Sequence, residues 1–262
     1  GSEMCIRDRL RLWRSYCHAG HSPLWLHWDD MDISSLLGPD SRGTFTIRTN
    51  MVSTLTGSAT MNHVSEDMGN DTDGQLFAAL REWADVVLVG AQTVRAEDYS
   101  GVVPSTDGSR PAPIAVPSRS LDFDINSDFF TDFSTPPIIL APHSSWEDED
   151  IVTRIEVIES TGAEVCDAGE GSVRDYISVL KDRGFKRVLC EGGPGMIGQL
   201  VDADAIDQMY LTLDPHLSTG VETPMATFKG EHSHRRMQLE NVAADTDGTV
   251  FLRYSRTRED VD

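Results

Sequence analysis

Arg187-Val188-Leu189-Cys190-Glu191-Gly192-Gly193-Pro194-Gly195-Met196-Ile197-Gly198-Gln199-Leu200-Val201 changes character twice along its length. The apolar run at its start reads as a strand, its middle as backbone stripped of side chains, and its end as a helix with apolar residues at helical spacing. Pro194 suits a first helical turn, where its missing N–H would lack a partner anyway. A strand that delivers the carboxylate of Glu191, then bare backbone, then a helix N-terminus is a seat for an anion, because exposed N–H groups and the helix dipole both favour negative charge. The ligand it suits is the diphosphate of a dinucleotide. The ordinary Rossmann arrangement is a weak reading of this junction.

Working outward, the residues before this junction alternate between strand and helix signals. Residues 173–183 form an amphipathic helix stopped by Gly184, and residues 163–166 a strand. Residues 147–159 hold a short helix, and residues 137–141, 113–116 and 85–90 are short apolar strands of the kind buried on both faces of a parallel sheet. Asp71-Thr72-Asp73 caps a helix over residues 75–83, and residues 44–52 alternate as a first strand. Residues 121–135 are acidic and carry four phenylalanines without a recognisable period. After the junction the alternation stops. Residues 206–213 read as a strand, and residues 237–242 and 249–254 flank Asp247-Gly248, a hairpin signal. The expected fold is α/β, with a mostly parallel mixed sheet, flanking helices and a C-terminal antiparallel hairpin.

Composition narrows the function. The 262 residues carry 22 Lys+Arg against 43 Asp+Glu, a formal charge of −21. Such a polyanion repels nucleic acid and anionic membranes, and neither is expected as a partner. No run of about 18 apolar residues offers a membrane span. Cys5, Cys17, Cys166 and Cys190 are scattered with neither a C-x-x-C pair nor zinc-type spacing, as in a reducing, cytoplasmic protein, and no metal is expected. Residues 1–10 read as non-native sequence, residues 11–43 as an N-terminal arm, and residues 44–262 as the functional domain.

A second strand end, Val89-Gly90-Ala91-Gln92-Thr93-Val94-Arg95-Ala96-Glu97, also carries polar groups past an apolar strand. In open α/β sheets ligands gather at the carboxyl ends of strands, so Thr93 and Glu97 are expected on one rim with Glu191 and Gly193. Asn50-Met51-Val52-Ser53 with Gly57, the run from Leu80-Arg81 through Asp85-Val86-Val87-Leu88-Val89-Gly90 to Thr93-Val94, Glu191-Gly192-Gly193 and the strand at 207–215 occur together in order. In this the chain resembles the reductase domain of bacterial bifunctional deaminase-reductases of riboflavin synthesis, a dihydrofolate-reductase-like fold, over about residues 44–255.

The resemblance implies NADPH-dependent reduction of 5-amino-6-(5-phosphoribosylamino)uracil, by hydride transfer to the ribosyl C1. It implies cofactor contacts at Met51, Thr93, Glu97, Ser118 and the run Gly193 to Gln199, which takes in Pro194, Gly195, Met196 and Ile197; Gly90 and Gly192 in the two turns are candidate cofactor contacts beside them. Substrate contacts are implied at Ser65, Arg81 and Glu191, and an acid beside the substrate at Asp73. Glu191 and Asp73 are the expected catalytic carboxylates, able to stabilise an iminium or relay a proton. Ser118-Arg119 follows a strand with a hydroxyl and a guanidinium, groups suited to a 2′-phosphate. A small heterocyclic substrate and a homodimer are consistent with the family. Two stretches depart from its pattern: Leu55-Thr56-Gly57 replaces an Asp-Gly pair, and Ser65-Glu66-Asp67 puts charge where an aromatic is usual. Reduction of dihydrofolate or another pterin is therefore a second reading, and a non-catalytic NADP-binding protein a third. The chain lacks the His-x-Glu and Pro-Cys-x-x-Cys set of zinc deaminases, so no deaminase activity is expected.

Overall fold

The short apolar runs become the middle of one nine-stranded sheet. The computed structural model describes residues 32–40, 43–65, 67–96, 99, 110–231 and 233–257, all within one compact unit. In chain order the elements are α1 (Ile33–Leu37), β1 (Thr46–Thr54), α2 (Asp71–Trp83), β2 (Val86–Leu88), α3 (Ala91–Ala96), β3 (Ile114–Pro117), α4 (Asp128–Thr131), β4 (Ile138–Ala141), α5 (Glu149–Ser160), β5 (Glu164–Asp167), α6 (Val173–Asp182), β6 (Arg187–Cys190), α7 (Pro194–Asp202), β7 (Gln208–Asp214), β8 (Met237–Ala244) and β9 (Val250–Arg256). Among the described residues no helix is long and apolar enough to cross a membrane.

The strand order is β5-β4-β3-β2-β6-β1-β7-β9-β8. Strands β5 to β7 are parallel and β7, β9 and β8 antiparallel, so the expected mostly parallel mixed sheet with a C-terminal antiparallel hairpin is the one observed. The two-residue period sorts the central strands between two cores. Val87, Val89, Ile139 and Ala141 face Leu76, Leu80 and Ile155 on one side. Val86, Leu88, Ile138 and Leu140 face Tyr176, Leu180, Met196 and Leu200 on the other. At the lower edge, Asp85 accepts the Lys186 and Arg187 N–H groups at 2.9 Å each and pairs with the Arg187 guanidinium, setting the start of β6 level with β2. Gly248, at φ +96°, closes the hairpin turn.

Three helices fall where the sequence shows no helical period. α3 directly follows Gly90. α4 lies in the acidic 121–135 stretch and buries Phe129 and Phe130, packed edge-on at 4.8 Å. α1 buries Leu36, and its last carbonyls are taken by Arg253 and by the Tyr210 hydroxyl. Each is too short for periodicity to register, and each is held by tertiary contacts rather than by propensity. Cys190 is fully buried, which pushes its thiol up to about 12, and burial and the nearby Glu164 push the partly buried Cys166 up to about 11. Cys190 behaves as a small apolar residue, whereas Cys166 donates to the Glu164 carboxylate and accepts from the Arg183 guanidinium.

The loop before β8 lies directly on α7. A Cβ added at Gly198 would stand 2.0 Å from the Thr227 carbonyl oxygen. Backbone cannot yield as a flexible side chain can, so Gly198→Ala is expected to lower stability by about 1–3 kcal/mol. A urea melt reads this directly, and an unchanged midpoint would mean that the loop does not pack there.

Candidate active site

Because β5 to β7 run parallel, the residues after their last positions share one rim. Ser118 follows β3, Gly90 and Thr93 follow β2, Glu191 and Gly192 follow β6, and Met51 and Asp214 lie toward the ends of β1 and β7. At about 4.8 Å per strand, β3 to β7 spans about 19 Å. The rim is thus an elongated surface rather than a point.

The two turns expected to share that rim are in direct contact. Gly90 donates its N–H to the Gly192 carbonyl at 2.9 Å, and Gly193 donates its N–H to the Thr93 hydroxyl at 3.2 Å. Gly192 adopts φ +94°, a conformation that L side chains rarely take, and a Cβ there would meet the Met51 sulfur at 3.2 Å. Glycine at 192 therefore satisfies both a backbone and a packing demand. Since Thr93 takes the Gly193 N–H, that amide braces the two turns instead of standing open to an anion. Met196 and Ile197, the second pair of expected cofactor contacts in α7, turn their side chains into the core, so only their backbone can face a ligand. Gly195 lies in the first turn of α7 beside Pro194.

Ser118 is buried and accepts the Leu121 N–H at 3.1 Å, which commits its oxygen to closing a turn. Arg119 beside it is exposed. Ser65 is half-buried in the loop between β1 and α2, where its carbonyl accepts the Met68 N–H at 3.0 Å. Glu97 lies outside the described residues.

Arg81 and Glu191 meet each other. Arg81 Nε donates to Glu191 Oε1 at 2.6 Å and Nη2 to Oε2 at 2.7 Å, a two-pronged pair between the last turn of α2 and the end of β6. The Tyr99 hydroxyl joins it, donating to Glu191 Oε2 and accepting from Arg81 Nη2 at 2.9 Å. Phe77 stacks on the guanidinium at 4.3 Å. Burial alone would lower the Arg81 pKa, but the hydrogen bonds and charge of Glu191 outweigh it and hold the group more firmly protonated than usual. Burial, reinforced by the Glu191 charge, keeps the Tyr99 phenol neutral far above its ordinary range. Tyr99 also lines a 640 Å³ cavity with Val94, Arg95, Phe123 and Phe129.

Asp73 sits in the first turn of α2, about 12 Å along the helix from Arg81. Asn70 caps this turn by accepting the Asp73 N–H at 3.0 Å. The Asp73 carboxylate accepts the Thr212 hydroxyl at 2.5 Å. Asp214, two residues on along β7, accepts the Gly69 N–H at 3.0 Å and contacts His216. Burial raises the Asp73 pKa, and the Asp214 charge adds to the rise against the opposing Thr212 bond.

Tyr99, Thr212, Asp214 and His216 were not read from the sequence as site residues. Thr212 and Asp214 alternate along a strand whose other face is apolar, the one signal that could have marked them. Nothing local distinguishes Tyr99.

Comparison with known proteins agrees with this architecture. The RibD C-terminal domain family model matches residues 45–251. The 2,5-diamino-6-ribosylamino-4(3H)-pyrimidinone 5′-phosphate reductase of Aquifex aeolicus is 26% identical over 148 residues, 55% of this chain and 63% of that protein. The chain thus spans less than two thirds of that curated relative. A pyrimidine reductase-like protein from Corynebacterium diphtheriae superposes with a TM-score of 0.74 at 28% identity, covering 82% of this chain and 92% of the other. RibD of Acinetobacter baumannii superposes with a TM-score of 0.66 at 18% identity, covering 83% of this chain and 59% of its own, which shows the shared fold. The match over 45–251 takes in every strand from β1 to the start of β9 and the whole rim, and this chain belongs to the RibD C-terminal domain family.

Proposed function

We propose that the chain is an NADPH-dependent reductase of a phosphoribosylamino-pyrimidine, delivering hydride to the ribosyl C1 in its open-chain imine form. The observation that carries this reading is the joining of the Gly90–Thr93 and Gly192–Gly193 turns beside the Arg81–Glu191 pair on one rim. The activity for which the Aquifex relative is named supports it.

The residues present fit a dinucleotide. Bare backbone at Gly195 allows close approach, the first turn of α7 offers its N-terminal dipole, and Arg119 adds an exposed guanidinium past β3. When bound, NADPH would supply the hydride. The chain's own task is then to orient the imine and to supply the proton its nitrogen gains as C1 is reduced. Glu191, both of whose oxygens accept from a two-pronged arginine, suits orientation better than proton donation. Asp73, whose pKa is raised by burial, is the better proton carrier, with Thr212 fixing its rotamer.

NADPH oxidation followed at 340 nm against a panel of the phosphoribosylamino-pyrimidine, dihydrofolate and other pterins tests the reading. Turnover of the pyrimidine alone supports it, and turnover of a pterin alone replaces it with the second reading. NADPH that raises the melting temperature with no substrate oxidising it would leave a binding protein. Within the leading reading, Arg119→Ala is expected to lower the NADPH-over-NADH preference about tenfold, the scale of one lost charge-assisted bond. Equal preference ratios in the two proteins would remove Arg119 from the 2′-phosphate site.

A further inference from the structure

The loop that carries Ser65 from the end of β1 to α2 makes one sharp reversal. Met61 and Val64 exchange backbone hydrogen bonds at 2.9 and 3.1 Å, and the two residues between them, Asn62 at φ +54° and His63 at φ +69°, are both left-handed. Two positive φ angles at the centre of a two-residue turn mark type I′, which favours Asn-Gly because glycine takes the second place without steric cost. Histidine stands there instead. Its N–H is taken by Glu222 Oε2 at 3.0 Å, from the loop that follows β7. The Thr60 hydroxyl donates to the same oxygen at 3.3 Å. The His63 N–H, helped by Thr60 and Asn62, holds the Glu222 carboxyl below its usual range. The two loops also join through Ala59, which donates its N–H to the Thr223 carbonyl at 2.8 Å, and through the Glu222 N–H, which goes to the Ser58 hydroxyl at 3.1 Å. Past Ser65, Asp214 of β7 accepts the Gly69 N–H at 3.0 Å. Ser65 thus lies on a short span fastened at both ends to β7 and the loop that leaves it.

We propose that Glu222 is a positioning residue for substrate: its carboxylate holds the Asn62–His63 turn closed and so fixes where Ser65 meets the ligand. The substrate, and the part of Ser65 in binding it, rest on the reductase reading; the fastening of the turn stands on its own geometry. A left-handed histidine is disfavoured backbone, and such a conformation persists only where surrounding contacts over-determine it. Here that contact is a charge-assisted bond reaching across 159 positions of chain. Val64 closes the turn and Ser65 follows it directly, so a turn that opens carries Ser65 with it. Glu222 is exposed, and losing its bonds should loosen the turn while leaving the core intact.

Glu222→Ala removes the acceptor and Glu222→Gln keeps one in place. Adding His63→Gly to Glu222→Ala supplies a residue that takes φ +69° at no steric cost. Hydrogen exchange on the full chain is expected to quicken over residues 64–68 in Glu222→Ala, where the amides of Val64 and Met68 bond within the loop. Exchange in β1 and α2 should stay unchanged, and the other two variants should stay close to wild type throughout. In the oxidation assay Glu222→Ala is expected to raise KM for the phosphoribosylamino-pyrimidine about three- to tenfold, the scale of one hydrogen bond. KM for NADPH should not move, and the added His63→Gly should restore the pyrimidine KM. Unchanged exchange in Glu222→Ala, or faster exchange with an unmoved pyrimidine KM, would overturn the proposal. So would a parallel rise in both KM values or no recovery on adding His63→Gly, either of which marks a merely structural role. If the wild type oxidises no NADPH with the pyrimidine while the exchange difference holds, the reductase reading fails and the fastened turn survives.

Discussion

Glu191→Ala is expected to lower folding stability by about 3–5 kcal/mol, because it strips a buried arginine of its partner while leaving the charge in place. The pair is nearly enclosed, at 4% and 17% side-chain exposure, so solvent screening rescues little of the loss. Tyr99 stays behind with a donor aimed at the vacated position and its raised phenol pKa no longer reinforced by the carboxylate. For a chain of this size such a loss lowers the melting temperature by roughly 10 °C. Arg81→Met is expected to be comparably harmful, since the carboxylate is then the uncompensated charge. The combination Arg81→Met with Glu191→Leu is expected to recover much of the loss, because apolar residues of similar volume dispense with both desolvation penalties. Urea melts of the wild type, both single variants and the double variant close the cycle. Additive losses in the double variant would mean that the two side chains do not interact as a buried pair. Turnover should not recover with stability, which separates the structural role of the pair from its part in orienting substrate.

Where the chain could be read in advance, the reason was local. Continuous apolar runs such as 86–89 and 138–141 announce strands buried on both faces, and α2, α5 and α6 have periods long enough to see, although Asn70 and not Asp71-Thr72-Asp73 caps α2, whose first turn takes in those three residues. The rim followed from the rule that parallel strands collect ligands at their carboxyl ends. What escaped was set by contacts between residues far apart in the chain. Thr212 meets Asp73 across 139 positions and Tyr99 meets Glu191 across 92. Arg48 shows the limit most clearly. In an alternating strand an arginine reads as solvent-facing, yet this one is fully buried, stacked 4.0 Å from the Trp83 ring and donating to the Pro39 carbonyl. The same distance in sequence hides the bond from Gly193 to Thr93. Both turns were legible as ligand seats, but nothing in either disclosed that one amide would be spent holding them together.

Asp73→Asn is expected to lower kcat by about 10²–10⁴, the range associated with a lost general acid, while making the folded chain more stable at neutral pH. The two effects share one cause. The folded-state pKa of Asp73 is raised by burial and by Asp214, so the charged form is disfavoured on balance. Its position in the first turn of α2 works the other way, but a helix dipole offers only about 0.3–1 kcal/mol to a negative charge there. A folded pKa above the unfolded value of about 3.9 means that the stability contributed by this group is complete below that pH. It is then lost as pH rises through the folded pKa. Asparagine does not titrate and can still accept the Thr212 hydroxyl, so it escapes the loss. The stability gap between variant and wild type should therefore be smallest in acid, widen as pH climbs from about 4 through the folded pKa, and then level off. In the kinetic profile, wild-type kcat/KM should fall on the alkaline side as Asp73 loses its proton, whereas the residual activity of the variant should lack that limb. A variant that keeps the alkaline limb would assign the proton to another group. One that melts below the wild type at neutral pH would show that Asp73 is held charged by its surroundings, and the proton-carrying role would fall with it.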